Sequence, residues 1–388
     1  MRTATRVVKS LLAFALMLGI ITALQGPAGA SAPPVIDQVS LSQSVLVPGE
    51  AAAISYRLAQ PAQVTAMIYT PDYQVVRVLM DGEYRSAGIN SVAWDGKDDS
   101  GAMVPNEAYL ISLQARDSQG DAYTYDPTAF SGGEKADIQL EMISTAEGYN
   151  VQFTVQEPVR VNIRAGIHNG PFLASIVNWA PYGKGTYTVA WNGLDSGGSI
   201  RVMEQEGAML LPLCFKLPVN SILVQGSSDD YVAYAKSQSA QQISTTGEAV
   251  ITVSTVRKSS LERASTGIST AYLVARARHD APKFTVNDAT GAPLASLRKT
   301  GPIKVSSHYP LTMEVTAEDV EDFYEGRYEI VVFVDNERFD EEESAQTPYT
   351  YVLDTTSLEN GVHEVTFNLV GLGGQTESYS FTIEVYNE

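Results

Sequence analysis

Apolar and polar residues alternate along most of this chain. Ile54, Tyr56 and Leu58 fall on one face of an extended segment. So do Val64, Ala66 and Ile68, and then Tyr109, Ile111, Leu113 and Ala115, because successive side chains of a strand point to opposite faces. Residues 75–80 form a more continuous apolar run. Turn residues punctuate these runs at Pro48-Gly49, Pro71-Asp72, Asp81-Gly82, Asp95-Gly96 and Gln119-Gly120-Asp121. Short strands at that spacing predict a two-sheet sandwich. The alternation returns at Val151-Phe153-Val155 and Val161-Ile163. It returns again at Tyr328-Ile330-Val332-Val334, Val365-Phe367-Leu369 and Tyr379-Phe381-Ile383-Val385. Pro212 and Pro218 interrupt the last apolar stretch before residue 226 and predict an edge strand or a bulge there.

One stretch occurs twice. Trp94-Asp95-Gly96-Lys97-Asp98-Asp99-Ser100-Gly101 is echoed 97 residues later by Trp191-Asn192-Gly193-Leu194-Asp195-Ser196-Gly197-Gly198. At the same offset Gly88, Val92 and Ala93 fall on Gly185, Val189 and Ala190, and Ile54, Tyr56 and Leu58 on Val151, Phe153 and Val155. A constant offset over that distance indicates two copies of one unit. The signature Trp94, Asp95, Gly96, Asp98, Gly101 and its counterpart Trp191, Asn192, Gly193, Asp195, Gly198 reads as strand, core tryptophan, tight loop and next strand. Trp supplies a large apolar body, Gly tolerates positive φ, and Asp or Asn oxygens bond nearby backbone.

These residues resemble the immunoglobulin-like module of the FlgD type, named for the flagellar hook-capping protein. Gly88, Trp94, Asp95, Gly96, Asp98, Gly101 and Tyr109 match its pattern in the first copy. In the second copy Asn192 replaces the Asp, and Gly207-Ala208-Met209 stands where the family has Gly-x-Tyr. The resemblance covers residues 35–226 and implies fold rather than activity. Further on, Leu353-Asp354-Thr355-Thr356-Ser357 with Asn360-Gly361-Val362-His363 resembles a phrase of bacterial Ig-like domains. The expected fold class is all-β, with three tandem immunoglobulin-like β-sandwiches after an N-terminal signal peptide. The expected boundaries are 1–30 signal peptide, 35–130 first module, 134–226 second module, 227–281 connector with strands, and 282–388 third module.

The amino terminus sets the compartment. Arg2, Arg6 and Lys9 precede an apolar run over 11–24, followed by Ala28-Gly29-Ala30. That is the order of a cleaved secretory signal, too short to span a bilayer. Cleavage after Ala30 predicts an exported chain, periplasmic, cell-surface or extracellular, with no transmembrane segment once the signal is removed. Its formal charge moves from −19 to −22, since residues 1–30 hold three basic and no acidic side chains. Such a surface repels nucleic acid and anionic lipid. Basic residues concentrate in 257–304 (nine basic, three acidic) and acidic ones in 314–343 (thirteen acidic, two basic). These read as two solvated surfaces, or alternatively as faces that fix the third module on the connector.

Chemistry is sparse. Cys214 stands alone, flanked by Leu213 and Phe215, and reads as a small buried hydrophobe. His168, His279, His308 and His363 have no metal-ligand spacing. The expectation is no cofactor and no enzyme: Gly-x-Ser-x-Gly, His-Glu-x-x-His and Gly-rich phosphate loops are missing from the sequence. For calcium, Asp319, Glu321, Asp322 and Asp340 are the candidates by carboxylate density, against a solvated acidic loop. The function this suggests is an exported, non-enzymatic spacer or envelope assembly accessory that binds other envelope or extracellular proteins. The alternatives are a carbohydrate-binding or adhesive module, or a non-catalytic accessory of a secreted hydrolase. The first alternative requires exposed aromatics. Tyr123, Tyr125, Tyr182, Tyr349 and Tyr351 lie near turns, although tyrosine is also simply a favoured strand residue.

Overall fold

A computed structural model of the chain describes residues 36–388 apart from 73, 119, 236, 238–280, 295–300 and 373. The signal peptide and most of the connector lie outside the described residues, as does most of the basic stretch. What is described is all-β, built as three sandwiches.

The first sandwich uses β1 (Ile36–Leu41), β2 (Val45–Leu46), β3 (Ala52–Leu58), β4 (Ala62–Tyr69), β5 (Val75–Arg85), β6 (Gly88–Trp94), β7 (Glu107–Arg116) and β8 (Ala122–Tyr125). One sheet runs β1-β3-β6, and the other contains β7-β4-β5 with β8 on β7. The second sandwich uses β9 (Ile138–Thr145), β10 (Gly148–Val155), β11 (Val159–Ile167), β12 (Phe172–Tyr182), β13 (Gly185–Trp191) and β14 (Ala208–Lys216). Its sheets run β9-β10-β13 and β12-β11-β14, repeating β1-β3-β6 and β5-β4-β7 of the first sandwich without counterparts of β2 and β8. Alternation has the expected consequence: Ile54, Tyr56 and Leu58 are sealed in the first core, and Val151, Phe153 and Val155 in the second. Pro212 lies on β14, which has β11 on one side only in the sheet order, where a residue without an N–H does least harm.

The chain then returns. β15 (Ile222–Val224) does not complete the second sandwich. It enters the first one, antiparallel to β7 through Ile222↔Tyr109 and Val224↔Glu107, and parallel to β2 through Leu223↔Val45. The sequence-based boundary at residue 226 is corrected accordingly: residues 222–224 close the sheet that residues 36–130 leave open. The reason is burial. Ile222 and Val224 are fully enclosed in the core that holds Trp94 and Tyr109. The first residues of the expected connector continue this cap. Ser227 exchanges two hydrogen bonds with Asn106, its N–H donating at 2.9 Å and its carbonyl accepting at 2.8 Å. Tyr231 donates to Asp72 Oδ2 at 2.8 Å. Burial, then the Asp72 carboxylate, hold the Tyr231 phenol far above its ordinary range.

The third sandwich comprises β16 (Phe284–Asn287), β17 (Ile303–Val305), β18 (His308–Val315), β19 (Tyr328–Val334), β20 (Glu337–Glu342), β21 (Tyr349–Asp354), β22 (Gly361–Gly371) and β23 (Thr376–Val385), in sheets β16-β18-β21 and β17-β23-β22-β19-β20. A helix, Val320–Gly326, crosses between β18 and β19. It occupies part of what reads in sequence as an acidic loop, because Phe323 must bury and stacks on Tyr328 at 5.7 Å.

His363 ties this sandwich together at a hairpin. Its Nδ1 lies 2.6 Å from Asp335 Oδ2 and its Nε2 2.8 Å from the Glu359 carbonyl. Both neighbours are acceptors, so only the doubly protonated ring can donate to each. Burial works to lower its pKa, but these acceptors outweigh it and the net shift is upward from 6.5. A folded-state pKa above the unfolded one means the interaction contributes fully below about pH 6.5 and fades as pH rises through the raised value. His363→Gln is therefore expected to lower the thermal midpoint at pH 5.5 and to do so less at pH 8.5. Scanning calorimetry of both proteins at the two pH values checks the sign.

Candidate functional site

The duplicated loop is built alike in both copies, the second returning one residue later: Asp98 N–H donates to the Ala102 carbonyl and Asp195 N–H to that of Ile200. The Trp94 indole N–H donates to the Lys97 carbonyl at 2.8 Å, and that of Trp191 to the Leu194 carbonyl at 3.0 Å. Asp98 Oδ1 accepts from the N–H groups of Ser100 and Ala102, while Asp195 Oδ1 accepts from those of Ser199 and Ile200. Gly96 and Gly193 have φ of +75° and +78°, Gly101 and Gly198 +84° and +69°, a region only glycine enters freely. Asp95 Oδ1 accepts from Lys97 N–H at 3.2 Å, and Asn192 Oδ1 does the same for Leu194 at 2.9 Å. This explains why Asn replaces Asp: the turn needs an acceptor oxygen, not a charge.

The same carboxylate-to-backbone device recurs away from the signature. Asp288 Oδ1 accepts from Thr290 and Ala292, Asp117 Oδ1 from Asp121, and Asp354 Oδ1 from Thr356. Hydrogen bonds from Thr290 and Thr356 hold the Asp288 and Asp354 carboxyls below the usual range. Several of the aspartates thus serve turns.

The two tryptophans sit at equivalent strand positions, each against its own core, and differ in how far they are buried. Trp94 is 1% exposed and meets the Tyr109 ring edge-on at 5.3 Å. Trp191 is only half-buried, and its aromatic neighbour is Tyr149, at 5.7 Å.

The calcium candidates do not converge. Asp319 accepts from the Lys283 N–H and the Thr316 hydroxyl at 2.9 Å each. Glu321 and Asp322 lie in the first turn of the helix, and Asp340 lies on β20. Among the described residues no group of three or more His, Cys, Asp or Glu could hold a metal ion. Burial raises the Cys214 thiol to about 12, so it is held as the unreactive thiol. Tyr123, Tyr125, Tyr182 and Tyr349 are half-buried and Tyr351 is buried.

What the sequence did not reveal are two buried polar seams between sandwiches. At the first, Arg160 on β11 reaches Glu107 on β7: Nη2 to Oε1 is 2.6 Å and Nη1 to Oε2 is 3.1 Å, the paired geometry of a guanidinium on a carboxylate. Arg160 Nη1 also donates to the Trp179 carbonyl at 2.8 Å. The side chains are 3% and 9% exposed. At the second seam, Asn368 on β22 grips the backbone of Phe172 on β12, accepting from its N–H at 2.8 Å and donating to its carbonyl at 2.6 Å. Ser378 on β23 donates to the Leu173 carbonyl at 2.8 Å. Thr366, Asn368, Thr376, Ser378 and Ser380 are all buried. Trp179 serves both junctions, since its ring packs on Gly374 of the β22–β23 turn.

The arrangement is that of a modular all-β protein of immunoglobulin-like sandwiches, and among the described residues no helix is long and apolar enough to cross a membrane. The FlgD Ig-like domain family matches residues 42–119, within the first sandwich. The basal-body rod modification protein FlgD of Salmonella typhimurium, and that of Salmonella typhi, is 49% identical over 59 residues, which is 15% of this chain and 25% of theirs. The chain therefore spans about a quarter of the length of the curated relatives it matches. Among solved structures, FlgD from P. aeruginosa aligns over 38% of this chain and 95% of its own, with 19% identity and a TM-score of 0.20. The fibronectin(III)-like modules of Clostridium thermocellum CbhA align over 90% and 94%, with 11% identity and a TM-score of 0.20.

Proposed function

We propose that this chain is an exported, non-enzymatic structural protein that holds Ig-like modules in a set relation and binds other envelope or extracellular proteins, as a spacer or assembly accessory. In this reading the second sandwich is a further copy of the FlgD-type module, the third is a bacterial Ig-like domain, and residues 1–30 are removed on export. The single observation that carries the reading is the pair of buried seams. Hydrogen-bonded polar side chains at Glu107–Arg160 and at Asn368 favour one orientation between neighbours, whereas a merely flexible string needs no such contacts. The match of residues 42–119 to the FlgD Ig-like domain supports a modular role outside catalysis. The test is cross-linking of the native chain in intact cells, followed by its recovery from the envelope fraction. The expected result is an amino terminus at Ser31 and a defined protein partner captured in constant proportion. Recovery from the cytoplasm with residues 1–30 intact, or no partner above an unrelated exported protein, would overturn the proposal.

A further inference from the structure

Two adjoining clefts open on the turn between β9 and β10. One, of about 410 Å³, is lined by Ser144, Glu147, Tyr149, Asn192, Arg201 and Glu204 among others. The second, of about 470 Å³, shares Glu147, Tyr149 and Asn192 and adds Trp191. We propose that this is a binding site for a neutral carbohydrate, with Tyr149 as the stacking platform.

The comparison between copies is the starting point. Opposite its tryptophan, the first sandwich pairs Ala52, fully buried, with Trp94. The second pairs Tyr149 with Trp191. The shared fold needs no aromatic at that position, yet here a half-buried Tyr ring leans on a half-buried Trp ring, tilted by 32°, and both line the second cleft. Gly193, a turn glycine in both copies, lies against the Tyr149 ring, where a Cβ would come within 2.8 Å of Tyr149 Cε2. A pyranose ring presents an apolar C–H face edged by hydroxyls. An aromatic face with polar groups around it is the matching surface.

The rim supplies both hydrogen-bonding roles. Glu147 and Glu204 accept, and Arg201 donates. The Arg201–Glu204 pair is loose, at 3.9 Å with side chains 70% and 69% exposed, so both groups can turn to hydroxyls at little cost. Two carboxylates against one guanidinium, on a chain of formal charge −19, select against anionic sugars. The cleft volume suits about one or two sugar rings, with the neighbouring cleft available to the next.

The test is isothermal titration calorimetry and tryptophan emission of the full mature chain. The probes are neutral hexasaccharides of glucose, N-acetylglucosamine, xylose and mannose, with a galacturonate hexasaccharide as the anionic comparator. At least one neutral probe is expected to saturate. Tyr149→Ala should weaken it roughly tenfold or more, Tyr149→Phe should keep it, and Tyr84→Ala, at an exposed tyrosine of the first sandwich, should leave it unchanged. Circular dichroism of each variant checks that the fold persists. The proposal fails if no neutral probe binds up to about 10 mM, if only the anionic one does, or if folded Tyr149→Ala binds as the parent does. These outcomes are independent of partner capture from the envelope.

Discussion

A chain that ends at Phe130 is expected not to form the first sandwich, although it contains every residue of the family match and the complete tryptophan loop. Such a fragment lacks β15, which sits between β2 and β7. Without it, Leu46 and Tyr109 lose the cover of Ile222 and Val224, which share their core. The Ser44 and Leu46 carbonyls lose the N–H donors of Leu223 and Gln225. Single substitutions grade the effect. Ile222→Ala removes a fully buried branched side chain and should cost about 2–5 kcal/mol. Ile222→Asp places an unpaired carboxyl in the same spot and should unfold the sandwich outright. A fragment of residues 36–237 should fold. Near-ultraviolet dichroism of Trp94 and denaturant titration report this. Cooperative unfolding of the 36–130 fragment at a midpoint near that of 36–237 would contradict it.

The second large effect lies at the first seam. Arg160→Met leaves the Glu107 carboxylate buried against a methionine and deprives the Trp179 carbonyl of its donor. Removing one partner of a buried pair costs about 3–5 kcal/mol. Glu107→Met should cost a similar amount, because it takes the carboxylate from the buried Arg160 guanidinium and an acceptor from the Ala108 N–H. Replacing both residues with Met should cost far less than the sum, because no isolated charge remains. A denaturation cycle over the four proteins measures the coupling. Purely additive losses would show that the pair does not act as a unit. The seam joins two sandwiches, so its rupture is also expected to separate their unfolding into distinct transitions.

Several features were legible in the amino-acid sequence. Period-2 runs located the strands, and Asp-Gly, Asn-Gly and Asp-x-x-Gly marked the turns. The offset of 97 residues aligned β3 with β10 and β6 with β13. The partial burial of Trp191 was not legible, since the sequence reads both tryptophans as core residues. The helix Val320–Gly326 was hidden by its carboxylates, because Val320 and Phe323 alone are too short a periodic pattern to outweigh an acidic run. The seams were invisible for a different reason. Thr366, Asn368, Thr376, Ser378 and Ser380 are ordinary residues for a solvated strand face, and nothing local distinguishes water from a neighbouring sandwich.

The amino-acid sequence by itself determined the all-β class, the repeated unit and the conformation of the tryptophan loop. Those depend on side-chain alternation and on hydrogen bonds spanning two to five residues. Only the tertiary structure decided that Ile222–Val224 belong to the first sandwich, that Arg160 answers Glu107, and that Tyr149 and Trp191 face a cleft. Each of these is a pairing across distance, selected by which surfaces remain unburied once the local elements have formed.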